Sequence, residues 1–213
     1  MCTHVLTNRS VLLNCYAREI LMSKEKIFAI AEIQMKNGGY DALSFRKIAE
    51  ELKITKGNVH HHFHTKEELA IAVANYYTQV YFSRISGFWK LHSPDYVAFL
   101  KAIEDMFWEE VEKMNSCKVC VVSQVARQDN VPQRLLDVAR NHYQQFHANF
   151  RKFGQISIDA GMIRDGLDAE TLAVQTMMLV NGMTAAAQRF SSPEEARQVL
   201  QNQFSNLAKG FGR

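Results

Sequence analysis

Residues 44–63 read SFRKIAEELKITKGNVHHHF, and this stretch decides the fold. Ser44 and Thr55 are N-cap residue types, whose hydroxyls accept from the unpaired amides of a helix's first turn. Ile48, Leu52, Ile54, Val59 and Phe63 can all point inward, and Ala49 is small where two helices would cross closely. The pattern predicts two helices of about two turns each, joined by a tight turn, which is helix-turn-helix spacing. The second helix then exposes Lys56, Asn58, His60, His61 and His62, residue types suited to phosphates and base edges in a major groove. Spacing alone fits a generic helical hairpin with a solvated face equally well.

Working outward, residues 23–36 carry Ile27, Phe28, Ile30, Ala31 and Met35 at helical spacing. Ser23 is placed to cap that helix and Gly38-Gly39 to end it. Thr65-Lys66-Glu67-Glu68 is a capping box opening a long fourth helix to about residue 86. Residues 1–22 read poorly beside this and are expected to form a mobile or non-native leader. Beyond Gly87, prolines 94, 132 and 193 each stand where a first helical turn is expected, and Ser192 with Glu195 makes a second capping box. Helices are expected near 94–114, 118–128, 132–161 and 193–209, with another from Asp168 to about Phe190. With 10 Gly and 3 Pro in 213 residues, the chain has too few turn formers for a sandwich or barrel. The expected class is all-α: a leader (1–22), a helix-turn-helix domain (23–68) and a helical regulatory and dimerisation domain (69–213).

At these residues the sequence resembles the TetR family of bacterial transcriptional regulators. The family's pattern appears as Ser44, Ile48-Ala49, Thr55-Lys56-Gly57, His60 to Phe63 and Thr65-Lys66-Glu67-Glu68-Leu69, and more weakly as GQISIDAGMIRDGLDAETLA over 154–173. The resemblance implies a homodimer that binds a palindromic DNA operator, most often as a repressor, and that a small-molecule effector releases. It implies that Ser44, Thr55, Lys56 and Lys66 contact phosphate, that Asn58 reads a base, and that Gly57 lets the helix approach the backbone; Arg46, His60, His61 and His62 complete the DNA-facing set. Hydroxyls and lysines at helix N-termini suit anions because free amides and the helix dipole already favour negative charge there. Two departures stand out: Lys53 occupies a turn position where the family commonly has Gly, and His60 and His62 replace tyrosines.

The resemblance also implies a ligand cavity in the second half, where Trp89, Phe99, Met106, Phe107, Phe146, Phe150 and Met183 are the candidate lining and ordinary core packing is the competing account. The uncharged run 172–187 is apolar nearly all round, so a partner must cover one side of it. Met178, Gly182, Ala185, Ala186 and Phe204 are the expected dimer contacts. Cys117 and Cys120, read as one helix face, are ordinary buried cysteines or, by resemblance to electrophile-responsive members, a thiol sensor centred on Cys120.

Several classes are disfavoured. A net charge of +3 and a pI of about 8.6 permit an acidic partner but do not argue for one. The four cysteines are too sparse for a disulfide framework, so reduced thiols in a cytoplasm are expected. The run 172–187 is shorter than the ~20 residues of a membrane helix and contains Gln175, Thr176, Asn181 and Thr184. Consecutive histidines on a helix point about 100° apart, so His60 to His62 are not expected to hold a metal. No nucleophile motif, phosphate loop or cofactor signature appears, so neither an enzyme nor a cofactor is expected. The alternative from another class is an all-α enzyme or ligand carrier with a vestigial helix-turn-helix.

Overall fold

A computed structural model of the chain describes the backbone of residues 8–213 and the side chains from Lys24 onward. Among the described residues there are helices and no strand. They are α1 (Asn8–Ala42), α2 (Phe45–Leu52), α3 (Lys56–His62), α4 (Lys66–His92), α5 (Tyr96–Met114), α6 (Val121–Val125), α7 (Gln133–Asp159), α8 (Ala169–Ala187), α9 (Pro193–Leu200) and α10 (Gln203–Ala208). No helix among them is long and apolar enough to cross a membrane.

The caps stand largely where the sequence places them. The hydroxyls of Ser44, Thr55, Thr65 and Ser192 accept from the amides of Lys47, Asn58, Glu68 and Glu195, and the Asp168 carboxylate accepts from Thr171. Glu68 and Glu195 each reach back one residue beyond the cap, to the amides of His64 and Ser191.

Elsewhere the helices differ from expectation. Ser23 lies inside α1, which is helical from Asn8, and residues 1–7 of the expected leader lie outside the described residues. Gly38 and Gly39 break α1 with φ/ψ of −158/26° and 62/−150°, after which one more turn runs to Ala42. α4 passes through Gly87 to His92, because one glycine costs a helix only about 1 kcal/mol and Ile85 and Trp89 are buried on either side. Asp95 caps α5, one residue past Pro94. The expected helix 118–128 shrinks to the five residues of α6, with Cys120 as its N-cap. The expected helix 193–209 divides at Asn202, whose φ of 69° is left-handed. The buried Glu104 carboxylate of α5 receives the Ser205 amide at 3.2 Å, holding the start of α10 against the core and turning Phe204 inward.

Two apolar clusters organise the molecule. One gathers Ile27, Met35, Ile48, Val59 and Leu69 from α1 to α4 together with Val121, Val122 and Val125 of α6 and Leu135 and Ala139 of α7. The other is aromatic. In it Trp89 stacks on Phe153 at 4.6 Å and Phe146 on Phe150 at 4.2 Å, with Phe99, Trp108 and Phe204 around them. The first cluster therefore draws on residues far beyond 68, where the sequence places the end of the DNA-binding domain.

Candidate nucleic-acid interface and ligand cavity

Ile48 and Val59 are fully buried and Ala49 nearly so, which locks α2 against α3. That packing leaves Lys56, Gly57, Asn58, His60 and His61 on the outer face of α3. Lys53 ends α2 in the left-handed region (φ 55°, ψ 39°), and the Ile54 amide closes the turn on the Ala49 carbonyl at 3.0 Å. A non-glycine residue there costs roughly 1 kcal/mol. Thr55 donates its hydroxyl proton to Asn58 Oδ1 at 2.9 Å while accepting from the Asn58 amide. That contact engages the Asn58 oxygen and leaves its NH2 donors unpaired on an exposed residue.

The remaining DNA-facing candidates differ in freedom. Ser44 opens α2, and Arg46 beside it is largely exposed, 3.8 Å from Glu50. The His60 ring packs edge-on against Phe45 at 4.7 Å. His62 is half-buried; burial first, then His61 and Lys24, lower its pKa below the usual value. Lys66 is the most engaged, with Nζ 4.4 Å from the Tyr40 ring centroid and donating to the Asp41 carbonyl. A phosphate contact from Lys66 has to compete with that seat at the break of α1.

In the other half a cavity of about 210 Å³ lies between α1, α4, α5, α6, α7 and α8. Met106, Phe107, Phe146 and Met183 line it. Trp89, Phe99 and Phe150 do not; they pack into the aromatic cluster instead, where helical spacing alone gave no way to tell the two roles apart. The sequence reading missed Tyr77, Tyr81 and Tyr143, which form a hydroxyl-bearing wall, and the charged group Glu32, Lys36, Arg84 and Glu110. Lys36 is buried and pairs with Glu32 at 2.8 Å, while Arg84 pairs with Glu110 at 2.9 Å. Burial raises the Glu110 pKa, but Arg84, Lys36 and Lys113 outweigh it and hold the carboxyl below its usual value. Burial lowers His142 to about 4, and its Nδ1 lies 3.0 Å from the Thr78 hydroxyl.

Cys120 lines the cavity; Cys117 is buried outside the lining, and burial raises its pKa. Because Cys117 precedes α6 and Cys120 only caps it, the two do not share a helix face as the sequence spacing suggested. From the same segment Gln128 reaches the break in α1. It accepts from the Tyr40 amide at 2.6 Å and donates to the Gly38 carbonyl at 3.0 Å. Gly39, at φ 62°, leaves room for that amide, with which a Cβ would collide.

On the outward face of α8, Val174 and Met178 are exposed, Gly182 meets no neighbour, and Ala185 and Ala186 are half-buried. Val199 and Leu207 are exposed on α9 and α10. Phe204, expected at this face, is instead 3% exposed in the aromatic cluster.

Residues 27–73 match the family model described as bacterial regulatory proteins, tetR family. The whole fold is similar to solved structures. A TetR-family transcriptional regulator from Agrobacterium tumefaciens aligns over 91% of this chain and 100% of its own, with a TM-score of 0.80 and 18% identity. A TetR transcriptional regulator from Chloroflexus aurantiacus J-10-FL aligns over 90% and 95%, with a TM-score of 0.73 and 22% identity. A regulator from Saccharomonospora viridis, solved in complex with choline, aligns over 85% and 94%, with a TM-score of 0.68 and 18% identity. No curated protein matches.

Proposed function

We propose that this chain, a TetR-family regulator by its DNA-binding segment, acts as a homodimer that binds a palindromic operator through α3 and releases it when a small molecule enters the cavity between the helices. The observation that carries this reading is the locked α2–α3 pair. Its buried side holds the geometry, and its outer side presents Lys56, Asn58, His60 and His61. Ser44, Arg46 and Thr55 flank the same surface, and Lys66 joins it if it leaves its seat on Tyr40. The choline-bound neighbour supports a ligand role for the regulatory half. Val174, Met178, Gly182, Ala185 and Ala186 supply the self-complementary face. A vestigial helix-turn-helix on an enzyme or carrier would have no need of an outward recognition surface held this way.

Selection from a random duplex pool tests the reading. The protein should enrich a palindrome, with half-sites about one helical turn apart. Asn58→Ala should relax specificity at one position by about 1–3 kcal/mol, whereas Lys56→Ala should weaken all sequences and flatten the salt dependence. Failure to enrich any sequence above a sheared-DNA background rejects the proposal. Replacing Gly182 by Leu should weaken dimerisation and duplex affinity together.

A second reading rests on the placement of Cys120 in the cavity wall beside Tyr77. In it a soft electrophile alkylates the Cys120 sulfur and so triggers release. Intact-mass analysis after limited treatment with N-ethylmaleimide should show adduct at Cys120 ahead of Cys117, and Cys120→Ser should abolish release by oxidants and electrophiles. An unchanged response in that variant removes the thiol reading and leaves the reversible one intact.

A further inference from the structure

We propose that the cavity takes an uncharged aromatic molecule of one or two rings, whose hydrogen-bond-accepting oxygen is received by the hydroxyls of Tyr81 and Tyr143. This rests on the reading of the cavity as the effector site and names the ligand's chemical class.

Charge comes first. Four ionised side chains face the cavity, and they already satisfy one another: Lys36 lies 2.8 Å from Glu32 and 3.9 Å from Glu110, and Arg84 lies 2.9 Å from Glu110 and 3.5 Å from Glu109. Lys36 also occupies an aromatic face, 5.7 Å from the Tyr77 ring centroid. An anionic ligand would have to draw a cation from its carboxylates. A cationic one would enter a wall that already holds two cations. Either would lose its hydration without gaining an unpaired counter-charge, which is the costly case for a buried ion.

The remaining polar groups select what an uncharged ligand must offer. The Ser123 hydroxyl donates to the Cys120 carbonyl, the Asn181 amide to the Met177 carbonyl, and the Thr184 hydroxyl to the Val180 carbonyl. His142 Nδ1 is engaged by Thr78. Tyr77 lies against Cys120. The only fully buried side-chain polar atoms without a partner among the described residues are Glu104 Oε1 and Trp108 Nε1, and neither residue lines the cavity. Tyr81 and Tyr143 also line the cavity, and neither hydroxyl makes a hydrogen bond among the described residues, so both are free to donate to a ligand oxygen. Burial raises both phenols, Tyr143 up to about 12, so they keep their protons at neutral pH.

Shape sets the size. The cavity's 210 Å³ exceeds the ~150 Å³ site that holds a single benzene ring and falls short of the ~300 Å³ at which drug-sized pockets begin. Tyr81 and Phe146, nearly parallel at 19° with centroids 6.4 Å apart, both line the cavity and give it aromatic surface.

Four ring-matched probes test the class by calorimetry on the intact protein: acetophenone, ethylbenzene, benzoate and benzyltrimethylammonium. Acetophenone should bind at least tenfold more tightly than either charged probe. In Tyr81→Phe/Tyr143→Phe its affinity should fall about five- to tenfold, the worth of one or two net hydrogen bonds, while that of ethylbenzene stays within twofold. An equal loss for acetophenone and ethylbenzene would show only disturbed packing and overturn the assignment. So would a charged probe that matches acetophenone, or the binding of none of the four. A protein that enriches a duplex but binds no probe keeps its regulatory role and loses this ligand class; one that binds acetophenone but enriches no duplex does the reverse.

Discussion

Between Ser44 and Phe63 each helix begins at a hydroxyl that meets an amide three residues on. The cavity wall instead collects side chains from Glu32 to Thr184, carried by six helices. The first region is specified by neighbours in sequence and the second by neighbours in space. That difference decides what each tolerates: the α2–α3 pair depends on caps, one small residue and a turn, whereas the cavity depends on every helix keeping its place.

The largest expected effect tests whether the two regions are mechanically separate. Phe150→Ala removes a fully buried ring from the aromatic cluster and should cost about 3–5 kcal/mol, and Ile48→Ala about 2–5 kcal/mol in the other cluster. Because α4 and α7 contribute to both clusters, each variant should shift one common transition in urea followed by tryptophan fluorescence and by circular dichroism. Two resolved transitions would break the comparison in favour of independent domains.

Acid sharpens it next. His142 is held neutral by burial at a pKa of about 4, below its ordinary 6.5, so the unfolded chain takes up the extra proton. The stability this ring contributes is therefore present above pH 6.5 and is lost as pH falls toward 4, by about 3 kcal/mol in all. His142→Gln should flatten that part of the profile in denaturant titrations between pH 7 and 4.

The junction between the regions is Gln128. Gln128→Ala leaves the Tyr40 amide and the Gly38 carbonyl without their partner and should cost about 1–3 kcal/mol, with faster amide exchange around Gly38 to Asp41. Unchanged exchange there would mean that the break in α1 is held by other contacts.

Two smaller effects belong to the DNA-facing side. His62 starts below its usual pKa, and a phosphate beside it would raise it. Duplex affinity should then strengthen as pH falls from 8 to 6, by at most tenfold per unit for one proton, and His62→Tyr should remove that slope. His60→Tyr tests the neighbouring ring in the same way, and a flat parent profile would place both rings away from phosphate. Lys53→Gly relieves the left-handed turn and should raise stability by up to about 1 kcal/mol, measured as a shift in Tm.

The legibility of the sequence follows the same division. The caps at Ser44, Thr55, Thr65, Asp168 and Ser192 could be read because each acts within three residues. Helix ends governed by distant groups could not: nothing near Asn202 announces that the Glu104 carboxylate, some hundred residues earlier, will hold the start of α10. Residue type does not separate Met106, Phe107, Phe146 and Met183, which line the cavity, from Trp89, Phe99 and Phe150, which do not, because a large apolar side chain looks alike in core and cavity. Tyr77, Tyr81 and Tyr143 escaped because a tyrosine in a long helix carries no local sign of where its hydroxyl points.

The way Val121, Val122, Val125, Leu135 and Ala139 complete the cluster around Ile48 bears on modular exchange. A fragment cut after α4 would carry an uncovered aliphatic surface and is expected to aggregate rather than bind DNA alone. A chimera that grafts a relative's DNA-reading head onto this body should fold only if the valines of α6 travel with the head or are rebuilt to match it. The unit that must be kept together is thus longer than the helix-turn-helix segment itself.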